Sequence, residues 1–301
     1  MTEDEARGPG QYAAFVGMCL IWGTTFLAIR IGSEAVPPLW GATLRLIVAA
    51  ILNVSVALLT RARWPRGVAL RAIATFGFLN LGVNFALLYW GELRVPSGIA
   101  AIFYATVPLT TGILAPMLGV QTLDRRHLIA AAIGLVGVAV IFSAEVRWGA
   151  PGIALLGVFT GATLASLSGV ILKKVPPSSA FVVNGIGAAI GACVCLVAAL
   201  LHGESPMLPR TFAAWGPILY LAVAGNLGAY VLYAWLLTQW RVTSVSVGAL
   251  IIPVLAVLVG ALVKRESPAP NTYIGAALVL LGVSVSLFGG RRVSATGPAA
   301  R

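Results

Sequence analysis

Residues 80–90 read N-L-G-V-N-F-A-L-L-Y-W, and residues 226–235 read N-L-G-A-Y-V-L-Y-A-W. Both stretches are apolar apart from amides and aromatic side chains, and both sit inside longer apolar runs. An asparagine in hydrocarbon is costly unless it meets protein or water, so its return at a matching place is a positional requirement. The match extends outward in the same order. Val36-Pro37-Pro38 recurs as Val175-Pro176-Pro177. Trp90 and Pro108 lie 18 residues apart, as do Trp235 and Pro253. Ala131-Ala132, Leu135, Gly137-Val138 and Val140 recur as Ala276-Ala277, Leu280, Gly282-Val283 and Val285. The chain is an internal duplication.

Composition says where the duplicated unit lives. Of 301 residues, 59% are hydrophobic and 10% charged, and the mean hydropathy is +0.96. A soluble domain carries about a quarter charged residues, so this inventory cannot build a water-facing surface. In lipid every backbone polar group is satisfied within a helix or a closed barrel. The apolar runs exceed the roughly ten-residue alternating segments of a barrel strand, which selects helices. Charges, prolines and glycines divide the chain into ten such runs, five to each half. They span 12–31, 39–59, 68–90, 97–119 and 128–143, then 152–172, 179–201, 212–236, 243–263 and 272–288.

Five is odd, so the halves face opposite ways across the bilayer. The expected fold is an all-α integral membrane protein of ten transmembrane helices, arranged as two inverted five-helix repeats with a substrate site between them. Residues 1–11 form a cytoplasmic tail, 12–143 and 152–288 the repeats, 144–151 a linker, and 289–301 a disordered cytoplasmic tail. The acidic start, M-T-E-D-E, is unlike a signal peptide, so the first run stays as a helix. With both termini cytoplasmic, 13 basic residues fall inside and six outside, and Arg45 lies within the second helix. That bias favours both termini in the cytoplasm, and the expected location is the plasma (inner) membrane, multi-pass; Lys264-Arg265 on the outside is the weakest part of this orientation. Basic residues at the ends of apolar runs are topology signals, which argues against nucleic acid as a partner.

A transporter needs polar or aromatic groups facing a cavity. Asn80 and Asn84 share a face of the third helix, and Asn226 and Tyr230 share one of the eighth. Symmetry sets these stripes opposite each other, although interhelical hydrogen bonds alone would also account for them. Trp22, Tyr89, Trp90, Tyr104, Tyr230, Tyr233 and Trp235 are candidates to stack on a flat substrate. Trp90, Trp235 and Trp240 lie near helix ends, where interfacial belts form. Trp22, beside Thr24, and Tyr104 and Tyr230 lie deeper. Arg45 sits six residues from the expected outer end of its helix, roughly 9 Å deep. It can snorkel, fix helix packing, or hold a substrate carboxylate or phosphate. The small residues Gly157, Gly161, Gly187 and Gly191 form GxxxG pairs for close packing. Pro108 and Pro253, at equivalent places, are candidate gating kinks or static packing elements.

The nine carboxylates lie in tails, loops or helix ends, and His127 and His202 are placed in loops. No acid is set to carry a proton at mid-membrane. No nucleophile–base or metal constellation is visible, so an enzyme, a metal and a cofactor are not expected.

At this point the chain resembles the drug/metabolite transporter superfamily, and within it the EamA-type ten-helix exporters. The resemblance covers about residues 12–288. It rests on Ile21-Trp22-Gly23 followed by Phe26, on Arg45 after the double proline, and on V-K-R-E-S-P-A-P-N-T-Y-I-G-A-A-L-V-L-L-G-V at 263–283. Gln121 stands where Glu266 does in the second half, and Asn184 where Arg45 does in the first. The resemblance implies an exporter, facilitator or exchanger working by alternating access without a cofactor. With the residues above it points to a small neutral or zwitterionic metabolite, an amino acid among the candidates, carried by a monomer in the bilayer. Trp22, Thr24, Arg45, Asn80, Asn84, Tyr104, Asn226, Tyr230 and Tyr233 are the expected substrate contacts. The alternatives are a proton-coupled drug or phosphorylated-metabolite exporter and a non-transporting scaffold.

Overall fold

A computed structural model describes residues 8–95, 97–143, 151–264 and 269–288. Most of both expected tails, the 144–150 part of the linker, and Arg265 and Glu266 lie outside those residues. The described chain is helical, with no strand. The first half contains α1 (Pro9–Ala35), α2 (Pro38–Leu59), α3 (Gly67–Gly91), α4 (Ser97–Tyr104, continued by Val107–Met117) and α5 (Arg125–Ile141). The second contains α6 (Gly152–Lys173), α7 (Ala180–Leu201), α8 (Phe212–Gln239), α9 (Val242–Ser246, continued by Gly248–Lys264) and α10 (Pro270–Phe288). Among the described residues nine of these helices are long and apolar enough to cross a membrane. The other, α5, has 17 residues, about 25 Å at 1.5 Å per residue.

Local sequence sets the helix ends. Val36-Pro37-Pro38 stops α1 and starts α2, because proline fits the first turn and cannot continue a helix. Asp124 caps α5, its carboxylate accepting from the backbone N–H of Arg126 and His127. Gly119 and Gly203 follow α4 and α7 with φ of 67° and 78°, the left-handed conformation that glycine adopts without strain. The turn at Gly203 delivers Glu204, whose carboxylate accepts from Leu39 N and Trp40 N at 3.3 and 2.8 Å. That interaction caps α2 from a different loop.

Glycine writes the two-fold relation into the packing. α2 runs along its repeat equivalent α7, and α5 along its equivalent α10. At Gly137 of α5 a methyl group would meet the Gly275 carbonyl of α10 at 2.7 Å. At Gly282 of α10, the equivalent of Gly137, it would meet the Ala130 carbonyl of α5 at 2.5 Å. One contact thus occurs twice, related by the inversion. The GxxxG pairs grip α3 from two sides: Gly187 and Gly191 of α7 meet Gly77 and Leu81, while Gly157 and Gly161 of α6 meet Trp90 and Asn84.

Two features depart from simple rods. Gly77–Asn84 in α3 and Leu221–Tyr230 in α8 are π-helical, the wider i→i+5 winding that concentrates at functional places. These stretches are repeat equivalents and carry all four residues of the expected polar stripes. The expected continuous segments at 97–119 and 243–263 are instead interrupted, at Ala105–Thr106 and at Val247. Pro108 falls in the first turn of its second piece, where its missing N–H costs nothing. Only Pro253 of that pair lies inside a helix, which corrects the expectation of two equivalent kinks.

Candidate functional site

The central cavity is about 150 Å³, a size that holds a single-ring molecule. α1, α2, α3, α4, α6, α8 and α9 line it, so both repeats contribute. Its walls are mainly apolar and aromatic, with Trp22, Phe85, Tyr89, Tyr104, Tyr230 and Tyr233 prominent among them. Trp22 packs edge-on to Tyr230, with ring centroids 5.1 Å apart, and Phe85 meets Tyr230 at 6.0 Å. Tyr233 closes this group against Trp22 at 5.7 Å.

A polar network crosses the repeat interface behind these rings. Tyr230 Oη of α8 donates to Asn80 Oδ1 of α3 at 3.4 Å. Asn84 Nδ2 donates to the same oxygen at 3.2 Å, and Tyr104 Oη of α4 donates to Asn84 Oδ1. The two stripes therefore meet, through hydrogen bonds that also hold the helices together. Lower on α4, Thr110 Oγ1 and Ser166 Oγ of α6 lie 2.6 Å apart.

Arg45 is 3% exposed, which removes the snorkelling reading. Its Nε donates to Asn226 Oδ1 at 2.8 Å and its Nη1 to Tyr89 Oη at 3.0 Å. The guanidinium lies over the Phe85 ring, 4.6 Å from its centroid. Its Nη2 rests on Gly225, where a methyl group would stand 3.1 Å away. Arg45 also lines the cavity, and no carboxylate does among the described residues. The buried cation is held by a neutral amide, a phenol and a ring face.

The structure redistributes some of the expected contacts. Trp22, Arg45, Asn80, Asn84, Tyr104, Tyr230, Tyr233 and Pro253 line the cavity. Asn226 stands behind Arg45 rather than at the wall. Thr24 points away, with its hydroxyl donating to Ile21 O and lying against Tyr220 Oη. The wall position belongs to Thr25, one residue and so about 100° further round α1. Trp240 is buried against Tyr12 and Phe15, and its Nε1 donates to Gln11 Oε1; it is not a belt residue. Trp235 is 38% exposed, as a belt position requires. His127 is not in a loop: it lies in the first turn of α5, buried, with Nε2 3.1 Å from Pro108 O and Nδ1 2.9 Å from Ser286 Oγ. Phe85, Thr111, Ser166 and Ser246 line the cavity without having been singled out in the sequence. A lone serine, threonine or phenylalanine in an apolar helix carries no signal of its own.

The model of the EamA-like transporter family matches this chain over residues 10–143 and 152–288. The chain belongs to the EamA-like transporter family. Among EamA relatives, the uncharacterized inner membrane transporter YedA of Escherichia coli (strain K12) is 28% identical over 279 residues, 92% of this chain and 90% of that protein. A probable terminal-alkyne amino-acid exporter of Streptantibioticus cattleyicolor is 26% identical over 281 residues, covering 90% of this chain and 91% of its own. A crystal structure with 20% sequence identity superposes with a TM-score of 0.75, covering 95% of this chain and 99% of the other. That likeness shows that the two share a fold over nearly the whole of both chains.

Proposed function

We propose that the protein is a secondary transporter of the inner membrane that moves a small amino-acid-like metabolite through the central cavity by alternating access. The observation that carries this reading is the cavity itself, built by both inverted repeats and bridged by the Tyr230–Asn80–Asn84–Tyr104 network. A solute there touches both halves at once, so relative rocking of residues 12–143 against 152–288 exposes it to either side. The volume limits the cargo to a small body, and Arg45, the one charged residue among those described on the wall, disfavours any cargo with a net positive charge. Neutral, zwitterionic and singly anionic metabolites remain, and the Streptantibioticus relative, a probable terminal-alkyne amino-acid exporter, agrees with an amino-acid-like cargo. The basic-residue bias supports cytoplasmic termini. With both halves in one chain, the monomer is the working unit. With no acid among the described residues of the cavity wall, the cycle runs as a facilitator or exchanger.

The experiment is counterflow in liposomes. Purified protein is reconstituted with one unlabelled amino acid inside, and entry of the labelled compound is followed with and without a pH gradient. Saturable exchange that needs no gradient is the expected result. No exchange across the amino-acid panel, or preferential uptake of a quaternary ammonium dye, would contradict the reading.

A further inference from the structure

Arg45 brings a full positive charge to the wall of a mainly apolar cavity, and no carboxylate answers it among the cavity-lining residues described. A buried charge without a counter-charge is costly unless it is paired and hydrogen-bonded. Two of its five N–H groups have described partners, Asn226 and Tyr89. Beside it, the Asn226 amide nitrogen is buried and has no hydrogen-bond partner. Asn226 is 1% exposed and lies off the cavity wall, so it holds Arg45 from behind. An uncompensated guanidinium on the cavity wall, oriented from behind by a neutral amide, makes a site that lacks one thing: an anionic oxygen pair.

We infer that Arg45, oriented by Asn226, is a carboxylate subsite, and that the preferred cargo is a monocarboxylate with a single-ring or short apolar body whose α-amino group is absent or acylated. This rests on the transport reading and narrows its substrate class. The carboxylate brings the cavity to net neutrality, and the aromatic walls of Trp22, Tyr230 and Tyr233 receive the apolar body. The free α-ammonium of an amino acid is not provided for. The strongest acceptors near the rings, Asn80 Oδ1 and Asn84 Oδ1, already receive Tyr230 Oη, Asn84 Nδ2 and Tyr104 Oη. The face of Phe85, another place for a cation, is covered by Arg45 itself. An ammonium thus enters a cavity that already holds a like charge, whereas an acylated amine enters as a neutral group. Zwitterionic amino acids bind through their carboxylate, but less tightly than their deaminated counterparts.

Binding to the purified full-length protein separates these cases, with 3-phenylpropionate, N-acetylphenylalanine, phenylalanine and phenylalaninamide as probes and Trp fluorescence as readout. The expected order is the two anions first, phenylalanine weaker, and the amide weaker than the anions by roughly tenfold or more, the scale of a lost charge-assisted pair. Asn226→Asp is the decisive variant. It keeps an oxygen for Arg45 Nε while supplying the missing negative charge, so the fold stands and binding of both anions falls roughly tenfold or more. Arg45→Gln is the second variant and loses anion binding likewise; a thermal melt of each variant confirms that it is folded. Equal or tighter binding of the amide, phenylalanine outranking 3-phenylpropionate, or undiminished anion binding in Asn226→Asp would overturn the subsite. The transport reading fails separately. Anion binding without counterflow of any probe leaves the subsite and sinks the transporter; counterflow that ignores the carboxylate does the reverse.

Discussion

Single atoms decide where this chain can be altered. Gly282 has no room for a side chain, because a methyl group would meet the Ala130 carbonyl at 2.5 Å and the Gly134 nitrogen at 2.9 Å. Both are backbone atoms and cannot turn aside. Replacing Gly282 with Leu therefore pushes α10 off α5 at a cost of about 2 kcal/mol or more. A thermal melt in detergent should show a lower midpoint for Gly282→Leu. The same change at Gly10, which has nothing within 4 Å, should leave the midpoint in place. Polar side chains show the same dependence on phase. Asn80, Asn84 and Tyr230 were legible as cavity residues because polar groups are costly in lipid and their spacing repeats, and Trp22 because it lies deep in its helix beside Thr24. Thr24 and Thr25 are adjacent and chemically identical, so sequence alone could not say which faces inward. Trp240 was misplaced because proximity to a helix end suggests an interface, and only the packing of Tyr12 and Phe15 reveals a buried site.

At the scale of elements, hydropathy and proline gave the helix limits to within a few residues, since lipid permits few alternatives to a continuous helix. The internal irregularities were not legible. The π-helical windings at Gly77–Asn84 and Leu221–Tyr230 depend on partners from other helices. Cys195 Sγ of α7, for example, lies 3.8 Å from the carbonyls of both Leu81 and Gly82. The breaks in α4 and α9 change the meaning of the two prolines. Pro253 lies within its helix and on the cavity wall, where it denies Ala249 O an i→i+4 donor. Pro108 begins a helical piece and denies nothing. Pro253→Ala should therefore slow exchange several-fold, and Pro108→Ala should change it little. Initial rates of counterflow for the two variants, at matched protein density, check this. Equal rates in both would remove Pro253 from the transport cycle.

On the scale of the whole molecule, the inverted architecture was the most legible feature, because order is hard to produce by chance. Asparagine, tryptophan, proline and glycine recur in sequence at matched intervals, and an odd number of crossings per half then requires inversion. The packing repeats the relation atom by atom at Gly137–Gly275 and Gly282–Ala130. What the sequence could not supply was depth and direction around Arg45. Its helix was visible, but snorkelling, packing and anion binding predict the same residue at the same position. The choice among them needs the partners, which come from α3 and α8.

If solute passes through the cavity between the repeats, filling that cavity stops exchange. Ala249 of α9 lines it with a small side chain and takes no part in the polar network, so Ala249→Trp fills much of its roughly 150 Å³. The most direct measurement is saturable counterflow by Ala249→Trp beside the unaltered protein, with folding verified by its melt. The account predicts exchange near the protein-free background and a retained cooperative melt. Exchange at the unaltered rate by a folded Ala249→Trp protein would contradict it, because the solute would then be crossing somewhere else.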